Sequence, residues 1–247
     1  MDSIINSIAL IAVLVPLIGI TIYFEIVKVN LKYLGIFFAI FLIYYNIIWL
    51  TPDFLYSNAG LVLHWNWPSK VFGISFGVLV ATIYIKKVEG VELKSIGLTF
   101  KQNSNSITKS LVLLFILAVI LNIGKTFYFP FGEIETLLYQ ATMPGFDEEL
   151  MFRAILLFVL ARAVVSSEFS LAGAKLNWAC IFISVLFGLI HGLKYSNGAF
   201  GVSVFTILAT GLLGFCFVWS RQLSGSIVLP IIIHNCLNVS LLFFKNS

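Results

Sequence analysis

The hydrophobic and polar positions of the chain divide it into eight long apolar runs separated by short polar stretches. An apolar run of about 20 residues crosses the hydrocarbon core of a bilayer as a helix. Lipid offers the backbone no hydrogen-bond partners, so runs of this length are predicted to be helical. The predicted spans cover residues 4–24, 33–50, 71–85, 110–129, 148–165, 177–193, 200–220 and 226–244. The pattern therefore predicts an all-α, polytopic integral membrane protein with about eight transmembrane helices.

Composition supports this prediction and excludes a soluble enzyme. Hydrophobic residues make up 60% of the chain, charged residues only 11%, and the mean hydropathy is +1.03. Soluble domains carry about 25% charged residues. The longest polar interval, residues 86–110, is too short for a separate soluble domain. We therefore expect a single membrane domain over residues 1–247 and a multi-pass protein of the cell membrane.

The distribution of basic residues predicts the orientation of the spans. Ten of the 15 lysines and arginines fall in loops that follow odd-numbered spans. These residues are Lys28, Lys32, Lys86, Lys87, Lys94, Lys101, Lys109, Arg162, Lys175 and Arg221. The positive-inside rule then places both termini outside and the 86–110 loop in the cytoplasm. The net charge of +4 reflects this topology, so no nucleic-acid partner is predicted.

A cluster of charges lies at the predicted start of the fifth span, where charge is costly. Asp147, Glu148 and Glu149 follow a Pro-Gly pair at residues 144–145 that is predicted to begin the helix. Asp147 is predicted to cap the first turn. Glu149 and Arg153 are four residues apart and therefore share a helix face, whereas Glu148 points about 100° away. Two glutamates with an arginine in register exceed what capping requires.

Polar groups also occur in the sixth and eighth spans. His191 lies near the end of the sixth span, and Gly188 and Gly192 form a small-xxx-small pair that predicts close approach of another helix. His234 lies within the eighth span, and Asn238 follows four residues later on the same face. A single histidine or asparagine in a membrane helix often serves only as an interhelical hydrogen-bond partner. Their combination with the carboxylate cluster favours a functional site.

These side chains are compatible with two kinds of hydrolytic chemistry. Glutamate and histidine suit general acid–base work on a water molecule, and histidine and asparagine donors suit stabilisation of an oxyanion. Alternatively, Glu149, His191 and His234 are candidate ligands of a divalent metal such as Zn²⁺. The HExxH pattern of zinc proteases and the GxSxG pattern of serine hydrolases are both absent. The residues alone leave the metal question open.

The order of the motifs resembles the CAAX protease and bacteriocin-processing family, also called CPBP or Abi, of eight-helix intramembrane peptidases. The resemblance covers residues 110–238 and includes the type II CAAX prenyl endopeptidases. The motifs are Glu148-Glu149-x-x-x-Arg153, Phe187-x-x-x-His191 and His234-x-x-x-Asn238. The resemblance implies a catalytic core in residues 110–247, with the site between the four C-terminal helices. Residues 1–109 hold the N-terminal spans, in which no motif is recognised.

The resemblance also implies a role for each residue. Glu148 and His191 are expected to activate the attacking water, and His234 and Asn238 to stabilise the tetrahedral oxyanion. Family members are described both as metalloproteases and as metal-free enzymes, so no cofactor is certain and a divalent metal such as Zn²⁺ is an alternative. The remaining residues, expected to support the site, are Glu149, Arg153 and Phe187.

The predicted orientation places all of these residues in the outer half of the membrane. This placement favours a membrane-associated peptide or protein substrate, such as a bacteriocin or a signalling peptide; an inverted topology would restore a lipid-modified CAAX substrate. Two other functions compete with an intramembrane endopeptidase. One is a non-catalytic membrane partner, such as a bacteriocin-immunity or sensor-regulating protein. The other is a small transporter whose glutamates and histidines relay protons.

Overall fold

Helices make up most of the molecule, as the hydropathy pattern predicts. The structure is a computed structural model that describes residues 2–59, 65–88, 90–128 and 134–245. A π-helix, Leu150–Leu156, joins the fifth and sixth α-helices, so residues 134–163 form one continuous helical run. The α-helices are α1 (Asp2–Tyr23), α2 (Leu31–Ala59), α3 (Trp67–Lys87), α4 (Ser106–Asn122), α5 (Ile134–Glu149), α6 (Leu157–Ala163), α7 (Trp178–Gly192), α8 (Val204–Ser224) and α9 (Val228–Leu242).

Short antiparallel strand pairs connect the helix ends. The pairs are β1 (Lys28–Val29) with β3 (Val164–Val165), β2 (Thr126–Phe127) with β8 (Phe244–Lys245), β4 (Phe169–Leu171) with β5 (Ala174–Leu176), and β6 (Leu193–Ser196) with β7 (Ala199–Val202). Asn197 and Gly198 form the turn between β6 and β7, and both have positive φ, as such tight turns require. Because β7 extends to Val202, α8 begins at Val204, and the predicted start of the seventh span at residue 200 is wrong.

Four helical segments in the described part of the chain are long and apolar enough to cross a membrane. They are Asp2–Tyr23, Leu31–Thr51, Trp67–Tyr84 and Val204–Ser224. Three further apolar helices, α4, α7 and α9, are shorter, at 15 to 17 residues. These helices indicate a membrane protein, and the count of eight spans stays a prediction.

The helix that carries the carboxylates begins earlier than predicted. The Pro-Gly pair at residues 144–145 lies inside α5 and does not start a helix. Proline normally interrupts a helix because it lacks an N–H group and crowds the preceding turn. Here the Asn235 side chain accepts a hydrogen bond from the Gly145 amide at 2.8 Å and donates one to the Thr142 carbonyl at 3.1 Å. Asn235 therefore satisfies the backbone at the proline, and the helix continues.

The π-helix that follows α5 lies in the interior of the helix bundle. Every residue of the π-helix is buried, as expected for a helical segment surrounded by other helices. Close packing also joins α7 to α8, because a Cβ added at Gly188 would collide with the Ile207 carbonyl oxygen. The close approach predicted from Gly188 and Gly192 is therefore confirmed. These contacts join α7 to α8, and the Asn235 side chain joins α9 to α5.

The basic loops gather at one end of the helix bundle. Lys28 pairs with Val165 across the β1–β3 ladder, and the Lys109 ammonium donates to the Ala172 carbonyl at 2.8 Å. At the other end, the Asn6 side chain hydrogen-bonds with the Tyr195 backbone, so the start of α1 lies beside β6. These contacts are compatible with the alternating arrangement, and the orientation in the membrane stays a prediction.

Candidate active site

One cavity collects four of the candidate residues. Glu148, His191, His234 and Asn238 come from α5, α7 and α9 and line a cavity of about 430 Å³. Aromatic and basic side chains complete much of its wall. These include Tyr44, Tyr45, Trp49, Trp65, Lys70, Tyr139 and Lys194. The cavity thus combines a carboxylate, two imidazoles and an amide within an aromatic enclosure.

Glu148 is bound by a side chain that comes from one of the N-terminal helices. The Lys70 ammonium, on α3, lies 2.8 Å from Glu148 Oε1 and 2.9 Å from Asp147 Oδ2. The Tyr44 hydroxyl donates to the same Asp147 oxygen at 2.8 Å. Asp147 is therefore a buried ion-pair partner within α5, and the prediction that it caps a first turn is wrong. Glu148 Oε2 has no hydrogen-bond partner among the described residues.

Glu149 faces a different set of partners. Its Oε1 lies 2.8 Å from His234 Nδ1, and its Oε2 lies 3.2 Å from Arg153 Nε. The Glu149 side chain is fully buried, whereas that of Glu148 is 14% exposed. Glu149 therefore lies behind His234 and connects the imidazole to the arginine, as its i, i+4 spacing to Arg153 predicts.

Arg153 is buried among aromatic rings and backbone. Its guanidinium donates to the Gly214 carbonyl at 3.2 Å and lies 4.2 Å from the Phe187 ring centroid and 5.2 Å from that of Phe217. Cation–π contacts of this kind stabilise a guanidinium that has been removed from water. Arg153 can therefore balance the charge of Glu149 without reaching the cavity.

The tautomer of His191 follows from its hydrogen bond. Nδ1 of His191 lies 2.7 Å from the Phe187 carbonyl oxygen, one turn earlier in α7. A carbonyl oxygen only accepts, so Nδ1 carries the proton and Nε2 of the neutral ring keeps its lone pair. The Phe187 ring also packs against the imidazole at 4.7 Å. His191 is thus oriented as a base toward the cavity that it lines.

His234 and Asn238 present their polar groups from one face of α9. Phe217 stacks on the His234 ring with centroids 4.9 Å apart, and Glu149 accepts from Nδ1. The Nε2 atom is therefore the ring nitrogen of His234 that remains available. Within the described residues Asn238 makes no side-chain hydrogen bond, so its amide is free to donate to a bound group. Both side chains line the same cavity as Glu148.

The proposed metal ligands do not form a matching donor set. Within residues 2–59, 65–88, 90–128 and 134–245, no group of three or more His, Cys, Asp or Glu side chains is placed to hold a metal ion. Of Glu149, His191 and His234, the two histidines line the cavity, whereas the Glu149 carboxylate lies outside that lining and faces His234 and Arg153. A zinc ligand needs a free lone pair directed at the metal. We therefore assign no catalytic step to a metal ion, and a metal requirement of the protein stays a prediction.

Several residues around the site were missed by sequence reasoning. Tyr44 and Lys70 come from spans without a recognised motif, although a lysine at the start of an apolar helix is itself a signal of function. Asn235 follows His234 directly, and its contact with α5 depends on the three-dimensional packing of two helices. Phe217 is one phenylalanine among 24, so no sequence signal separates it from the others.

The comparison with family models adds evidence independent of this geometry. Residues 108–240, more than half of the chain, match the family described as Type II CAAX prenyl endopeptidase Rce1-like. The matched region contains the whole of α5 and α7 and all of α9 except its last two residues. Neither the curated proteins nor the solved structures contain a significant match to the chain.

Proposed function

The chain belongs to the Type II CAAX prenyl endopeptidase Rce1-like family, and we propose that it is an intramembrane endopeptidase in which Glu148 and His191 activate water. One observation carries this assignment: Glu148, His191, His234 and Asn238 line the same cavity. A carboxylate and an imidazole base on one wall, with donors on another, match the needs of amide hydrolysis.

The first step is attack on the scissile carbonyl. Water bound between Glu148 Oε2 and His191 Nε2 loses a proton to the carboxylate as its oxygen attacks the carbonyl carbon. The partnerless state of Glu148 Oε2 supports this assignment, because the other oxygen is already held by Lys70. His191 Nε2 keeps the water oriented, since Nδ1 is occupied by the Phe187 carbonyl. The product of this step is a tetrahedral intermediate with one negative oxygen.

The second step is stabilisation and collapse of that intermediate. The Asn238 amide and the Nε2–H of His234 donate to the oxyanion, which requires His234 to carry protons on both ring nitrogens. Glu149 accepts from Nδ1 and balances the imidazolium charge. Protonated Glu148 then gives its proton to the leaving amine as the C–N bond breaks, which regenerates the carboxylate.

The position of the cavity bears on the substrate. The cavity lies at the end of the bundle opposite the basic loops. The positive-inside rule places the basic loops in the cytoplasm and therefore the cavity end on the outer side. We therefore propose a membrane-associated peptide or protein as the substrate, presented from the outer half of the bilayer. A lipid-modified CAAX protein requires the opposite orientation. Reactivity of single cysteines placed in the 86–110 loop and after residue 240 distinguishes the two.

Comparative proteomics of membranes and secreted material tests the function directly. Cells that produce the wild type, Glu148→Ala, His191→Ala or His234→Ala are compared, with Glu168→Ala, at an exposed acid, as the matched control. We expect uncleaved substrate to accumulate in the first three variants and normal processing in the control, with all proteins present in membranes. Identical proteomes for wild type and all three variants contradict the proposal and favour a non-catalytic partner.

A further inference from the structure

Lys70 is a buried lysine that the motifs do not include. It lies in the first turn of α3, is 6% exposed and precedes the region that matches the family. Lysine is rarely buried unless it is paired, and a charge at membrane depth is costly without a partner. Its ammonium contacts two carboxylates of α5 at once, at 2.8 Å on Glu148 and 2.9 Å on Asp147.

The packing of α3 against α5 supports this contact. Gly73 lies one turn after Lys70, and a Cβ there would collide with Asp147 Oδ1. A side chain at position 73 would therefore move α3 away from the carboxylates. On the other side, the Tyr44 hydroxyl fixes Asp147 Oδ2 at 2.8 Å. Asp147 is thus held by two donors, whereas among the described residues Lys70 is the one donor to Glu148 Oε1.

The two oxygens of Glu148 differ because of this lysine. Oε1 is bound to the ammonium, whereas Oε2 has no hydrogen-bond partner among the described residues. A carboxylate bound at one oxygen has its rotation about the last side-chain bond restricted, so the other oxygen keeps a fixed direction. Both Lys70 and Glu148 line the cavity. The restriction therefore acts at the atom that accepts the proton in the proposed mechanism.

We propose that Lys70 is a positioning residue for catalysis: it binds Glu148 Oε1 and so directs Oε2 toward the attacking water. This inference rests on the proposed function of Glu148. It extends the enzyme beyond the matched region, because α2 and α3 supply the groups that orient the base. The alternative is that Lys70 only neutralises Asp147 and stabilises the fold.

Steady-state kinetics separates these two roles. The probe is an internally quenched peptide that ends in a farnesylated CAAX sequence, with the unfarnesylated peptide alongside. The proteins are wild type, Asp147→Asn, Lys70→Met and the Lys70→Met/Asp147→Asn double variant, purified in detergent. In the double variant Glu148, which borders the cavity, is the carboxylate left without its cation. Membrane accumulation is therefore expected to recover in part where Lys70→Met alone accumulates poorly. Lys87→Met, at the exposed end of the same helix, is the matched control.

We expect kcat of the double variant to fall about 10- to 100-fold below that of Asp147→Asn, with KM unchanged. Lys87→Met is expected to match the wild type. Equal kcat values for Asp147→Asn and the double variant overturn the positioning role and leave the proposed function intact. Glu148→Ala that cleaves as fast as wild type contradicts the proposed function itself.

Discussion

Glu148 and Glu149 are adjacent in the chain, yet the regions that surround them differ in exposure, in binding partners and in charge. Glu148 borders a cavity and is held by a lysine from the N-terminal spans. Glu149 is fully enclosed and lies between Arg153 and His234. One region is open to a substrate, and the other is closed by aromatic rings and backbone. The same residue type can therefore serve as a reacting group in one region and as a support in the other.

The difference also concerns charge balance. Around Glu148, one ammonium faces two carboxylates, so this region carries excess negative charge. Around Glu149, the arginine and the carboxylate balance when His234 is neutral, and the region becomes positive when His234 is protonated. A base that takes a proton from water belongs in the first environment. A donor that stabilises an oxyanion belongs beside the second.

The largest expected effect on activity comes from replacing Glu148, in the region that is open to a substrate. Glu148→Gln keeps the shape and a hydrogen bond from Lys70 but removes the proton acceptor. We expect kcat to fall about 10²- to 10⁴-fold, the range usual for loss of a general base. Cleavage of the farnesylated CAAX peptide by the purified variant measures this loss. Glu168→Gln is the control, and near-normal turnover by Glu148→Gln would exclude Glu148 as the base.

On the closed side, Arg153→Met should affect folding more than chemistry. It leaves the buried Glu149 carboxylate without its cation, which costs about 3–5 kcal/mol. We expect a large loss of membrane accumulation and of thermal stability in detergent. Adding Glu149→Gln removes the unpaired charge and should restore most of the stability. An Arg153→Met protein as stable as the wild type would show that the ion pair is not needed for folding.

Glu149→Gln alone sharpens the contrast between the two glutamates. The amide oxygen still accepts from His234 Nδ1, but the negative charge beside the imidazole is lost. We expect kcat to fall about 10- to 100-fold, as is usual for a supporting partner of a histidine. The result is compared with Glu148→Gln at saturating peptide. Equal losses for the two variants would contradict a difference in role.

The contact between α5 and α9 can be weakened without changing a charged residue. In Gly145→Ala the new methyl group collides with the Asn235 amide that supports the helix at Pro144. We expect a stability loss of about 1–3 kcal/mol, the usual cost of overpacking. Gly19→Ala is the control, since a Cβ there meets nothing within 4 Å. Thermal unfolding in detergent compares the two, and equal melting temperatures would contradict the role of Gly145.

A chelator should have the smallest effect. Glu149 does not line the cavity, and among the described residues no three His, Cys, Asp or Glu side chains are grouped to hold a metal ion. We expect peptide cleavage to continue after treatment with 1,10-phenanthroline and dialysis, with metal content followed by mass spectrometry. Loss of activity that returns on addition of Zn²⁺ would instead establish a metal enzyme.

Sequence reasoning reached the helices and the motif residues, because both depend on local patterns. Apolar runs mark helices, and the Glu149–Arg153 pair follows from helical spacing alone. The pattern failed at Pro144, since the side chain that sustains the helix there lies 91 residues further along. It also missed Lys70, because nothing in the sequence shows which helix faces α5. Contacts between elements that are far apart in the chain could not be predicted from the sequence.

The Asn235 contact has a consequence for how a substrate reaches the site. Asn235 ties α9, which carries His234 and Asn238, to the backbone of α5, which carries Glu148. Movement of one helix alone would break both hydrogen bonds, so we expect the two helices to move together. The other cavity wall contains Tyr45 and Trp49 of α2, a helix that is itself tied to α5 by the hydrogen bond from Tyr44 to Asp147. We expect lateral entry from the bilayer to involve movement of the Tyr45 and Trp49 side chains, while the catalytic helices keep their mutual register.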